Sequence, residues 1–223
     1  LFASFAVRFP VPHDPRLDAL AAALAAHEPH LAHLTEETSP RGDESPVSRA
    51  SVALVVRPAL SDLELLVIKR ATRSGDPWSG HMAFPGGRRS GEDRSAQEAA
   101  ERETREEVRI ELSGSGRLLG RLDEVWPRAG APAIVVSPFV FSAPADAATT
   151  PNHELAGTFW IPLRDLAAPG AATEYLHALA SGEELRFPAI AYESHVIWGL
   201  THRIMTGFLD IVRQAIAGEE DAQ

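Results

Sequence analysis

GGRRSGEDRSAQEAAERETREEVRI, residues 86–110, carries carboxylates where an amphipathic helix would be expected to carry alanine. Ser95 followed by Glu98 has the capping-box spacing, which predicts a helix from about Ser95 to Val108. At about 100° per residue, Ala96, Ala99, Ala100, Thr104 and Val108 share one side, and Glu101, Arg102 and Arg105 lie away from it. The small, apolar side is expected to face a core. Glu103 and Glu107 fall in the middle of that side and Glu106 at its edge. A solvated helix would put its charges opposite the alanines, and burying a carboxylate is costly unless something compensates. A hard divalent cation compensates well, because Mg²⁺ takes oxygen ligands and keeps waters and substrate phosphates in its shell.

Just upstream, Phe84-Pro85-Gly86-Gly87 is expected to end a short strand at residues 81–84 and to open the loop that returns to the helix. Paired glycines let backbone approach a ligand or a side chain closely. Outward from this unit, β-rich segments at residues 51–57 and 63–70 read as neighbouring strands. Further strands are expected near 116–125, 133–141 and 155–160, and a closing helix at about 196–216. The alternation predicts a mixed sheet covered by helices on its faces. An alanine- and leucine-rich helix is expected over residues 14–33, ended or kinked by Pro29. The polar segment 35–48 reads as a linker. The expected organisation is therefore an N-terminal helical arm and linker (1–48), a main domain (49–217) and a short tail (218–223).

Composition narrows the function. With 31 Asp and Glu against 21 Lys and Arg the formal charge is −10, opposite to the basic surface that nucleic-acid binding needs. A small anionic substrate would need local cations. The absence of cysteine excludes disulfides, thiolate metal sites and cysteine nucleophiles. No apolar run approaches the roughly 18 to 20 residues of a membrane span. Residues 1–7 lack the pattern of a signal peptide, so a cytoplasmic protein is expected. His27, His30 and His33 cluster in sequence, but Pro29 interrupts the helix that would align them and no cysteine completes a zinc site.

Gly87, Arg102, Glu103, Glu106 and Glu107 together resemble the Nudix box of MutT-type hydrolases, whose pattern is Gly, a spacer, an acidic residue, a spacer, then Arg-Glu-x-x-Glu-Glu. Asp93 takes the acidic spacer position, one residue further from the Arg than in the common box, and Arg109 stands where glycine is usual. Both departures are similar to the subgroup of coenzyme A pyrophosphatase-like proteins. So are Asn152-His153-Glu154-Leu155, Phe159-Trp160-Ile161-Pro162-Leu163 and Ile197-Trp198-Gly199-Leu200-Thr201, the last expected to open the final helix. The upstream substrate box of that subgroup is matched at Arg70-Ala71, Gly80 and residues 84–87. Asp76 stands at its second Arg position, where an anion would be repelled, and Arg73 is a nearby substitute.

The resemblance implies a Nudix-type α/β/α sandwich with a mixed β-sheet between helices. It implies Mg²⁺ or Mn²⁺ held by Glu103, Glu106 and Glu107 with a backbone carbonyl of the Gly86-Gly87 turn, Gly87 being the expected metal residue and Gly86 its support. The implied reaction is hydrolysis of a diphosphate bond in a nucleoside-diphosphate-linked small molecule, with coenzyme A or a derivative as one identity. The alternative is a Nudix-fold module that senses a nucleotide without cleaving it. Glu107, Glu103 and Glu154 are the expected catalytic carboxylates, and the general base is open among Glu107, Glu124 and Glu154. Arg102 is expected to support the site by pairing with Glu106 one turn on. Lys69, Arg70, Arg88 and Arg89 are candidates to meet phosphates, and Trp78 and His81 to shape the pocket. A homodimer is compatible with the sequence, and the N-terminal helix is expected to cover either the sheet or a partner copy.

Overall fold

Ala53 to Val56 and Leu65 to Ile68 form near-continuous apolar runs, and every one of these residues is at most 1% exposed. Strands that read this way are covered on both faces. In the computed structural model, which describes residues 14–31, 47–75, 78–127, 134–178 and 183–220, with side chains to residue 215, they become the centre of a seven-stranded mixed sheet.

The elements in chain order are α1 (Pro15–Ala26), β1 (Ser48–Pro58), β2 (Leu63–Arg70), β3 (Met82–Ala83), β4 (Gly86–Arg88), α2 (Ala96–Val108), α3 (Leu112–Ser115), β5 (Arg117–Arg121), β6 (Ile134–Ser142), β7 (Leu155–Pro162), α4 (Leu163–Ala167), β8 (Ala172–Ala178), β9 (Glu184–Tyr192), β10 (His195–Trp198) and α5 (Gly199–Glu220). β1 runs parallel to β6, and the other pairs in the large sheet are antiparallel. β1 and β2 pair only at Val56–Pro58 with Leu63–Leu65 and then diverge. The strap formed by β3 and β4 fills the fork, β3 along β2 and β4 along β1. Residues of β1, β2 and β6 that alternate in sequence point to opposite faces, and each face has its own apolar core. α2 and α3 cover one face. α1, α4, α5 and the smaller sheet β8–β10 cover the other, so the architecture is an α/β/α sandwich.

The expected strands and helices are present with shifted ends, and the differences have physical causes. The two glycines do not open a loop; they sit in β4, where Gly87 and Gly86 pair with Ser51 and Val52. The strand expected over 116–125 is continuous only at Arg117–Arg121, with an isolated bridge from Val125 to Val136, and the one expected over 81–84 only at Met82–Ala83. The closing helix starts at Gly199 rather than Val196, because Val196 to Trp198 are β-formers recruited as a strand by β9. β8 and β9 had no counterpart in the sequence pattern, since Pro188 interrupts an otherwise strand-like run and much of this sheet is exposed. At the start of α2 the Ser95 hydroxyl caps Glu98 N as expected, but the Glu98 carboxylate accepts from Arg94 N rather than from Ser95 N.

α1 ends at Ala26, ahead of Pro29. Leu17, Leu20 and Leu24 enter the same core as α5 and the face of β1 and β2 opposite α2. Arg16 donates to the Ala59 carbonyl and Arg117 to the Asp18 carboxylate, and His27 and the His30 amide meet Asp123. His33 and the linker up to residue 46 lie outside the described residues. Among the described residues no helix is long and apolar enough to cross a membrane.

Leu20 is 1% exposed. Leu20→Ala is expected to cost about 2 to 5 kcal/mol of unfolding free energy by transfer plus cavity, as measured by urea denaturation. A loss below about 0.5 kcal/mol would show that α1 is not part of the cooperative core.

Candidate active site

The helix α2 places its acidic residues against the fork. Ala99, Ala100, Thr104, Glu107 and Val108 are buried, and Glu107 is only 3% exposed. One oxygen of the Glu107 carboxylate, Oε2, accepts the Gly86 amide at 3.0 Å. Burial pushes this carboxyl up to about 7, opposed by the Gly86 hydrogen bond, with Glu103 and Glu154 raising it further and Arg70 lowering it. Burial also raises the Glu103 carboxyl, against the pull of Arg102.

Both glycines are dictated by close approach. A Cβ on Gly86 would lie 2.3 Å from the Ser51 carbonyl oxygen, and the residue has φ +156. A Cβ on Gly87 would lie 2.5 Å from the Glu103 carboxylate. The bare backbone of β4 is thus the floor on which Glu103 rests, and the backbone donor beside it holds Glu107.

Arg102 organises the exposed side of this cluster. Its Nε and Nη2 meet the two oxygens of Asp93 at 2.9 and 3.1 Å, a bidentate pair. Nη1 donates to Glu103 at 2.9 Å and to Glu106 at 3.2 Å, and Nη2 also to the Arg88 carbonyl. The Asp93 side chain is 4% exposed. The Arg102 guanidinium holds its carboxyl down to about 2, helped by donors from Ser90 and opposed by burial. Arg89 fixes the loop itself, donating to the carbonyls of Asp93 and Arg94.

The helix ends at Arg109 in the left-handed region, φ 63, the conformation that usually calls for glycine. Beyond it, Thr150 N and Asn152 N donate to the carbonyls of Val108 and Glu107. These bonds bring the loop carrying Glu154 to the end of α2. Among the described residues no three acidic or histidine side chains converge into a ready-made cation cage. Glu103 and Glu106 converge instead on Arg102.

The chain matches the NUDIX domain family over residues 47–180. It belongs to the Nudix family. An uncharacterised protein of Schizosaccharomyces pombe is 36% identical over 164 residues, which take in 63% of this chain and 49% of that protein, so the match spans about half of the relative's length. The uncharacterised Nudix hydrolase NudL of Photorhabdus laumondii is 31% identical over 141 residues, 63% of this chain and 73% of NudL. A solved MutT/nudix family protein from Enterococcus faecalis shares the fold with a TM-score of 0.51 at 13% identity, covering 78% of this chain and 64% of that chain.

Within this Nudix domain the residues singled out from sequence divide into two groups. Gly86, Gly87, Asp93, Arg102, Glu103, Glu106 and Glu107 are brought together, and the charges of Arg70 and Glu154 reach Glu107. Glu154 bonds Arg73 at 3.2 Å. Lys69 is drawn to the other face, where its Nζ meets His195 Nδ1 at 3.4 Å. Glu124 is buried and accepts from Ser137 and Arg121. Arg88 is exposed at the end of β4, and Arg89 is occupied in the loop. His81 stacks edge-on to Trp198 at 4.9 Å, and Trp78 accepts the His81 amide. Asp76 lies outside the described residues. The anchoring role of Asp93 was foreshadowed only by its place as an acidic spacer; no sequence periodicity marks a partner nine residues from Arg102.

Because its folded-state pKa is depressed, Asp93 contributes stability that is present above its unfolded value and lost as pH falls through about 2. Asp93→Asn is expected to lose about 2 kcal/mol at neutral pH and to flatten the acid limb of the stability profile, as read by chemical denaturation from pH 2 to 7. A variant with an unchanged profile would show that the pair with Arg102 is not formed.

Proposed function

We propose that this chain is a divalent-cation-dependent hydrolase that cleaves a diphosphate bond in a nucleoside-diphosphate-linked small molecule. The observation that carries the reading is the buried Glu107 carboxylate, tied to the Gly86 amide beside a Glu103 that rests directly on Gly87. A fold selecting for stability alone would fill this place with apolar side chains, since an uncompensated buried charge is costly.

The donor set suits Mg²⁺ or Mn²⁺. Glu103, Glu106 and Glu107 offer hard carboxylate oxygens, the missing Cβ of Gly87 leaves its backbone open beside them, and Glu106, held by Arg102, is half-exposed. A cation held there supplies charge neutralisation for the phosphoryl oxygens and a lowered pKa for a bound water.

The residues of the chain do the rest. Arg102 restrains Glu103 and Glu106, so that neither carboxylate has to be ordered when substrate arrives. The Gly86 amide holds one oxygen of Glu107 and leaves the other toward the cluster, where it is suited to accept a proton from the attacking water. Glu154 is the alternative acceptor, close enough to act on Glu107 and paired with Arg73. Glu124 is the weaker candidate for that role, because its acceptor oxygen is already taken by Ser137 and Arg121. Arg70 and Arg88 supply positive charge toward the diphosphate. Coenzyme A or a derivative is one candidate substrate, argued from Arg70-Ala71, Gly80 and the Phe-Pro-Gly-Gly strap.

The test is turnover of coenzyme A, ADP-ribose, NADH and diadenosine polyphosphates with Mg²⁺ or Mn²⁺, with products identified by mass. Glu107→Gln is expected to lower the rate by about 10² to 10⁴. The same variant should stabilise the metal-free protein. A carboxyl raised from 4.5 to about 7 costs folding energy progressively as pH rises between those values, so removing its charge should yield up to about 3 kcal/mol above pH 7. Below about pH 4 the two proteins should be equally stable. No turnover of any compound by a wild type that still binds the cation would move the assignment to a sensing module. Cation affinity, read by calorimetry, is expected to fall as pH drops through 7, with proton release on binding.

A further inference from the structure

The small sheet β8–β10 has two unlike faces. Ile190 and Ile197, 5% and 0% exposed, point into the core shared with α5. The opposite face carries Tyr175, His177, Phe187 and Trp198, brought together by the register Tyr175↔Phe187 and Ala189↔Trp198. Tyr175 lies stacked on Trp198, with centroids 4.1 Å apart and planes 18° from parallel. His177 and Phe187 each sit 5.5 Å from Trp198. None of the four rings is fully buried, and Leu185 beside them is 44% exposed. The core on the other face already holds this sheet in place, and the rings add a second, half-open aromatic layer on top of it.

Their position connects them to the candidate site. β10 lies against β3, and His81, immediately before β3, meets Trp198 edge-on. Gly86 is five positions on from His81, a reach of at most about 17 Å. Arg73, paired with Glu154 at the acidic cluster, and His81, at the aromatic face, both lie between β2 and β3 in the chain.

We propose that this face is the platform on which the nucleobase of the substrate stacks while its diphosphate lies at the acidic cluster. The inference rests on the hydrolase reading above and adds to it the residues that select a nucleoside derivative. Flat rings offer a planar, polarisable surface to any base. The imidazoles of His81 and His177 add polar atoms at the rim, which suit a heterocycle edged with nitrogen and oxygen better than an alkyl chain.

The test uses the full chain and two probes that cannot be hydrolysed: α,β-methylene adenosine diphosphate and methylenediphosphonate, each with Mg²⁺, titrated by calorimetry. The wild type should bind the nucleotide at least about 10-fold more tightly than the diphosphonate. Tyr175→Leu and Trp198→Leu should each weaken the nucleotide about 10-fold and leave the diphosphonate unchanged, and Tyr175→Phe should retain wild-type affinity. Nucleotide affinity unchanged in both leucine variants overturns the proposal, as does a wild type that binds the nucleotide no better than the diphosphonate. A change of assembly state in both variants by gel filtration, with nucleotide affinity intact, also overturns it and assigns the face to a second copy of the chain. Failure of the hydrolase reading shows separately, as absence of metal-dependent turnover.

Discussion

The hydrogen bond from the Gly86 amide to the Glu107 carboxylate joins the helix α2 to the strap in the fork of the sheet, and the geometry of the candidate site follows from it. For the bond to form, β1 and β2 must separate after a short stretch of pairing, leaving a gap that β3 and β4 occupy. β4 must then present backbone without side chains, because Glu103 lies where a Cβ of Gly87 would be and the Ser51 carbonyl lies where a Cβ of Gly86 would be. Two carboxylates are thereby lodged at the edge of a core. Their cost is offset in part by one amide donor and one guanidinium, and the remainder is what a cation would relieve.

The surrounding polar network acts as a frame for these carboxylates. Arg102 spans Asp93, Glu103 and Glu106, and Arg89 holds the loop from which Asp93 reaches it. Asp93 is the buried end of this chain of contacts, and Glu106 the exposed end. Such a gradient gives rigidity at the anchor and freedom at the surface, where a ligand has to enter. The loop that follows β6 completes the arrangement by capping the last carbonyls of α2 and delivering Glu154 to the same end of the helix.

Much of this was legible in the sequence because it depends on short-range spacing. The i and i+4 relation of Glu103 and Glu107 on the alanine side of a helix is a statement about 3.6 residues per turn, and the buried strands β1 and β2 announce themselves as apolar runs. The family resemblance is carried by the same local pattern, and so is the unusual Arg109, which occupies the left-handed position that glycine fills elsewhere. The small sheet was not legible, since its strands are exposed on one face and interrupted by Pro188. Nor was the strand character of Gly86-Gly87, because glycine has no β propensity of its own and is held in the ladder by Ser51 and Val52.

By itself, then, the sequence determined the helix with inward carboxylates, the glycines next to it and the class of mixed sheet, all of which arise from contacts within a few residues or from hydrophobic period. Only the tertiary structure decided which cations serve the cluster. Lys69 and Arg70 are neighbours in sequence, yet at the irregular end of β2 one is drawn to His195 and the other acts on Glu107. The tertiary structure also laid α1 on the sheet, with Leu17, Leu20 and Leu24 in its core, and brought Trp198 to His81 across more than a hundred residues. The physical reason is that what waits on each face of a strand or helix is set by elements far away in the chain, and in a strand adjacent side chains are sent to opposite faces.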